Sequence, residues 1–127
     1  MNMIDKALGV HAQALSLRSR RMELLGLNIA NSDTPNFKAK DVDFKSVLQA
    51  TASGALNVTN KAHLPLTDSG SPDGEVYRIP YDVSFDGNTV EMNVEQAKFG
   101  QAAADYQATL NILENRLGGI RKALRGD

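Results

Sequence analysis

Asp82, Ser84, Asp86, Gly87 and Asn88 follow the first half of an EF-type calcium loop, with alternating oxygen donors and a glycine at the sharp turn. The second half fails: the ninth place falls on Val90, and the twelfth, where a bidentate Glu belongs, on Asn93. A turn, not a cation site, is therefore expected there. His11 has Ala14 and Leu15 three and four residues on, so no second ligand shares its helix face, and a packed or interfacial histidine is expected. His63 sits in a loop segment, Lys61 to Leu64, and is expected to be exposed. Asp41, Asp43, Asp68, Asp73, Glu75 and Asp82 could supply acid/base pairs, but carboxylates in a loop-rich region form a solvated face. The chain has no cysteine, which removes disulfides, thiolate metal sites and cysteine nucleophiles. It also has no phosphate-cradling glycine loop and no nucleophile elbow. The expectation is a non-enzyme with no catalytic residue, metal, cofactor or small-molecule substrate.

What remains to be explained is the scaffold. At 127 residues the chain is about one domain. Aromatics are 6% and Trp is absent, so any core is aliphatic and thin. No run approaches the roughly 20 apolar residues of a membrane span, and the first residues lack the apolar stretch of a cleavable signal. Steps of four and three from Ile4 give Ile4, Leu8, His11, Leu15, Arg18, Met22, Leu25 and Ile29, a helical seam with two polar interruptions. The same steps from Phe99 give Phe99, Ala103, Tyr106, Leu110, Leu113, Leu117, Ile120 and Leu124, apolar throughout. A seam of that length expects helical partners.

These seams predict an N-terminal helix within residues 1–31 and a C-terminal helix within 94–127, flanking a middle of 32–93. The first helix should stop near Ala30 or Asn31, since Asn31, Ser32 and Asp33 favour turns and Pro35 biases Thr34 away from the helical region. The second should start at Asn93, with Gln96 completing a capping box, and end at Leu124 to Arg125 before Gly126. The middle is punctuated by glycine and proline. Glu75 to Ile79 and Tyr81 to Phe85 alternate like strands and predict a β-hairpin turned at Asp86 to Asn88; Ser69 to Gly74 predicts an exposed loop, and Ala50 to Asn60 a weakly structured connector. The predicted fold is mainly α: two long terminal helices in a coiled-coil-like pair with a short loop and hairpin between them.

Charge is uneven. Residues 1–40 carry six Lys/Arg against three acids, residues 41–94 three against eight, and residues 95–127 five against four. Arg18, Arg20 and Arg21 lack the aromatic or motif support of a nucleic-acid stripe, so no nucleic-acid partner is expected. The acidic middle offers carboxylates to these arginines, and Arg18, on the seam, could reach one across a helix interface.

The stretch Leu25 to Phe44, LGLNIANSDTPNFKAKDVDF, resembles the signature of flagellar rod, hook and hook-associated axial proteins, carried by Asn28, Ala30, Asn31, Thr34, Pro35, Phe37 and Lys38. Asn36 stands where that family usually has glycine, a mild departure because Asn tolerates the left-handed conformation. Lys40 to Phe44, Asp86 to Glu91, Tyr106 and Gln107 are similar to one branch, the B-type proximal rod proteins, whose short length this chain shares. The resemblance implies a structural subunit of the basal-body rod, assembled with copies of itself, other rod proteins, and the membrane-ring and export-gate components at the rod base. It implies a periplasmic location, export through the flagellar type III apparatus without a cleaved signal peptide, and terminal helices packed around the export channel. Phe44 and Leu48 match a Phe-x-x-x-hydrophobic pattern among early flagellar export substrates, with packing of a short amphipathic segment as the competing role. A soluble coiled-coil adaptor or chaperone is the alternative that the two seams alone would also fit.

Overall fold

A computed structural model describes residues 3–52 and 74–126. His63, Asp68, Asp73, the predicted loop up to residue 73 and the connector from residue 53 onward lie outside the described residues.

Two long helices dominate, α1 (Met3–Ala30) and α3 (Met92–Arg125). They run antiparallel: Asn28 near the end of α1 meets Glu95 near the start of α3, and Arg18 meets Asp105 further along, each at 3.1 Å. α1 stops at Ala30, where the turn-forming residues and Pro35 require it to. α3 ends at Arg125, and Gly126, at φ 75°, turns its N–H back onto the carbonyls of Lys122 and Ala123. The start of α3 differs from expectation. Glu91, not Asn93, holds the N-cap position, and it makes no side-chain cap. Its carboxylate is engaged elsewhere, accepting the N–H groups of Tyr81 and Asp82 at 2.5 and 3.2 Å.

The middle is rearranged relative to the predicted hairpin. Strand β1 (Lys40–Val42) pairs antiparallel with β2 (Glu75–Tyr77), Asp41 opposite Val76, while Tyr81 to Phe85 forms no strand. Local alternation between 75 and 85 thus loses to a pairing that closes a longer loop. A short helix, α2 (Phe44–Ala52), follows β1 where no helix was predicted. Its signal is Asp43, whose side-chain oxygen accepts the Ser46 N–H at 3.3 Å in the manner of an N-cap. Gly74 closes the join between β2 and α2. Its carbonyl accepts the Asp43 N–H at 2.8 Å, its φ is 69°, and a Cβ there would sit 2.2 Å from a Val47 methyl.

Among the described residues the buried apolar side chains are few: Leu24, Leu25, Ala39, Val42 and Ala102. On α3 the buried positions recur every seventh residue, at Glu95, Ala102 and Thr109. They lie one residue off the apolar seam, about 100° around the helix. The small Ala102 faces α1, and the Thr109 hydroxyl is satisfied by donating to its own helix at the Asp105 carbonyl, 2.8 Å away. Of the seam itself, Ala103, Tyr106, Leu110, Leu113 and Ile120 are half-buried, and Phe99, Leu117 and Leu124 are exposed. On α1, Leu25 is buried, Leu8, His11, Leu15, Arg18, Met22 and Ile29 are half-buried, and Ile4 is exposed. Intramolecular pairing consumes one side of each helix and leaves the α3 seam only partly covered, with Phe99, Leu117 and Leu124 exposed.

Candidate functional site

The chain concentrates its buried polar groups where α1 ends, α3 begins and the two strands cross over them. Asn28, 1% exposed, has its amide fully used: Nδ2 donates to the Lys40 carbonyl at 2.7 Å and to Glu95 at 3.1 Å, and Oδ1 accepts the Lys40 N–H at 3.1 Å. Glu95, with no exposure at all, takes its charge partner from β2's downstream neighbour, Arg78, which donates to Glu95 through one guanidinium nitrogen and to Asp41 through the other. Asp41 is also gripped by Arg21, through Nε at 2.9 Å and a second nitrogen at 3.3 Å. One chain of contacts therefore links α1, β1, the segment after β2, and α3.

Burial alone would push the Asp41 carboxyl up, but hydrogen bonds from Arg21, from the Val42 N–H and from Arg78 outweigh it and hold the group below its ordinary 3.8. A carboxylate with a lowered folded pKa stabilises the fold fully above its unfolded value, and that contribution is lost as pH falls through the folded value. The stability of the wild-type chain should accordingly drop more steeply than that of Asp41→Asn on acidification from about pH 5 to pH 3. Urea midpoints measured across that range check this; parallel curves would remove Asp41 from the acid response.

A second knot lies beside the first and contains the rest of the axial-protein signature. The Asn88 amide nitrogen sits 2.9, 2.9 and 2.8 Å from the carbonyls of Asn31, Ser32 and Thr34, in the turn that follows α1. Asn31 and Thr34 bond each other through their side chains at 3.1 Å, and Pro35 follows in the turn. Asn36 adopts φ 59° and donates its N–H to the Asp86 carbonyl at 2.9 Å. Phe37, half-buried, accepts the Thr89 N–H at 3.0 Å, and Lys38 caps the Gly87 carbonyl at 2.5 Å. Ala30 ends the helix exposed. The half-formed calcium motif is thereby accounted for: Asp86 Oδ1 accepts Ser84 Oγ at 2.6 Å and the Asn88 N–H at 3.1 Å, and Asn88 faces α1. Among the described residues no group of three His, Asp or Glu could hold a metal ion.

The three arginines of α1 are paired, not merely solvated. Arg20 reaches Glu75 at 2.5 Å and Arg21 reaches Asp41, so the acidic middle does receive them. Arg18 pairs instead with Asp105 of α3 and lies 4.9 Å from the Phe44 ring centre. Phe44 and Leu48 are half-buried on α2, beside a cleft lined by Arg18, Arg21 and Asp105.

Sequence reading located the signature but missed Asp41, Arg78 and Glu95 as its buried partners. The available signal was Arg78, one of only three cations in the acidic middle. The junction ties the end of α1 to the start of α3 in a fixed register and leaves Ile4, Phe99, Leu117 and Leu124 of the two seams exposed.

The family model described as "Flagella basal body rod protein" matches residues 8–38. The chain is 44% identical over 121 residues to "Flagellar basal body rod protein FlgB" of Cereibacter sphaeroides, strain ATCC 17029, covering 94% of each. It is 38% identical over 135 residues to the protein of that name from Salmonella typhimurium, covering 99% of this chain and 98% of the relative. The Escherichia coli K12 protein of that name is 38% identical over 134 residues, covering 98% and 97%.

Proposed function

The chain belongs to the FlgB family of flagellar basal body rod proteins, and from that premise we propose that it polymerises through its terminal helices into the tube of the proximal rod, the drive shaft around the export channel. Its role in the basal body is structural. The observation that carries the polymerisation is the exposed part of the α3 seam: Phe99, Leu117 and Leu124 are 36%, 42% and 77% exposed although α3 is paired with α1. Each Å² of apolar surface removed from water contributes about 25 cal/mol, so a helix that keeps such a seam gains by packing between neighbours. Contacts between unlike faces that do not close produce a helical assembly, the form a rod requires. The partners are copies of this chain, other rod proteins, and membrane-ring and export-gate components at the rod base. The place of assembly is the periplasm, reached by type III export without signal cleavage. The free coiled-coil adaptor or chaperone is set aside, because relatives spanning nearly the whole chain carry the rod name.

The test is Leu113→Asp. In the rod a carboxylate at that seam position would be desolvated at a cost of several kcal/mol unless paired. Swimming should be abolished while the protein is still made and exported; normal swimming would overturn the proposal.

We assign export recognition to Phe44 and Leu48, which lie one turn apart on α2. Phe44→Ala should reduce the exported fraction several-fold with little change in cellular level. Undiminished export would leave Phe44 only its packing role beneath Arg18.

A further inference from the structure

The segment from Ile79 to Phe85 spends large apolar side chains on water. Ile79, Tyr81, Val83 and Phe85, at alternate positions, are 89%, 88%, 93% and 111% exposed. The segment is nonetheless held at both ends and near its centre. The Arg78 N–H binds the Ala39 carbonyl at 2.9 Å, the Asp86 carbonyl accepts the Asn36 N–H at 2.9 Å, and the Glu91 carboxylate accepts the Tyr81 and Asp82 N–H groups. An anchored arm that presents four large apolar residues has the form of a contact element, since exposed apolar patches of a few hundred Å² mark interaction sites.

Among the described residues, the arm cannot reach the distal half of its own α3. Seven residues span at most about 25 Å even when fully extended, and the arm is tethered near the start of α3. The exposed distal residues of α3 begin at Ile112, twenty residues beyond Met92, or about 30 Å along the helix. That distal half has the complementary character. It exposes Ile112, Leu117 and Leu124, and from 110 to 125 it carries Arg116, Arg121, Lys122 and Arg125 against Glu114 alone. The arm carries Asp82, with Asp86 at its end, and no cation. Apolar residues flanked by acids on one surface thus match apolar residues flanked by bases on another, at opposite ends of the same molecule.

We propose that the 79–85 arm of one copy docks on the distal half of α3 of a second copy. The contact joins unlike surfaces, so it propagates instead of closing into a symmetric pair. The two aromatics contribute roughly 300–500 Å² of burial, against about 800 Å² per partner in an ordinary stable interface. The arm therefore supplements helix-to-helix packing and sets which neighbour is engaged. The inference rests on the polymerisation proposed above.

The test places the photoreactive residue p-benzoylphenylalanine at Phe85, at Tyr81 or, as reference, at Leu113, each in the full chain and in cells lacking the unmodified protein. Basal bodies are irradiated, isolated and mapped by mass spectrometry. The expected result is a product at about twice the 13.7 kDa chain mass, with Phe85 or Tyr81 joined to residues 110–125 of another copy. Intermolecular products from Leu113, with the arm joined only to other parts of this chain or to a different protein, would overturn the arm contact and leave helix-driven assembly standing. No product between copies from any position would overturn both.

Discussion

Replacing Arg78 with Met is expected to destabilise the isolated chain by about 3–5 kcal/mol, the usual penalty for removing one member of a buried ion pair. Glu95 has no solvent exposure, and with Arg78 gone its only remaining described donor is the Asn28 amide at 3.1 Å. Asp41 would keep Arg21 but lose its second guanidinium. The penalty comes from the stranded charge, not from a missing attraction, and a second substitution separates the two. Arg78→Met combined with Glu95→Gln should recover much of the loss, because the neutral amide removes the uncompensated charge while keeping the shape. Urea unfolding of the four proteins in that cycle measures it. If the double variant is as unstable as the sum of the singles, the two side chains act independently and the coupling assigned here is wrong.

Asn88 should be the other sensitive position. Its two amide hydrogens serve three carbonyls at the end of α1, and its side-chain oxygen accepts the Val90 N–H at 2.7 Å. Asn88→Ala removes these contacts, although the Asn31 and Thr34 carbonyls keep the N–H groups of Thr34 and Phe37, and should cost about 1–2 kcal/mol. Asn88→Asp is the sharper test because it keeps the shape. It replaces a donor with an anion facing three carbonyl oxygens at the negative end of a helix dipole, so it should be worse than Ala. A domain of this size has a total stability of about 5–15 kcal/mol, so either change should shift the denaturation midpoint plainly. An Asp variant as stable as wild type would show that the carbonyls are not held by this side chain.

Both predictions concern the register of α1 against α3. Sliding α3 by one turn would carry Glu95 away from both Asn28 and Arg78. Polar contacts of this kind specify arrangement more than they add stability. Under the proposed polymerisation that is the useful property, since the exposed seam residues must point in defined directions before a neighbour meets them.

Much of the chain was legible from local pattern. The heptad seams marked both long helices, Pro35 and its neighbours marked the end of α1, and Gly126 the end of α3, because helix formation depends on contacts three and four residues apart and on terminal capping. The left-handed turn at Asn36 was readable from residue type. Helix α2 could have been read from Asp43 as a cap but has too short a pattern to stand alone. The other features depend on residues far apart. Lys40 pairs with Tyr77 in the sheet, Asn88 reaches 57 residues back to Asn31, and Asn28 meets Glu95 across 67. No local period encodes such partners. By itself the sequence determined two helices with more apolar surface than one pairing can bury. Only the tertiary structure decided which side of α3 is spent on α1, because that choice is made by Glu95, whose buried charge must find Asn28 and Arg78, leaving the seam one residue away only partly covered, with Phe99, Leu117 and Leu124 exposed.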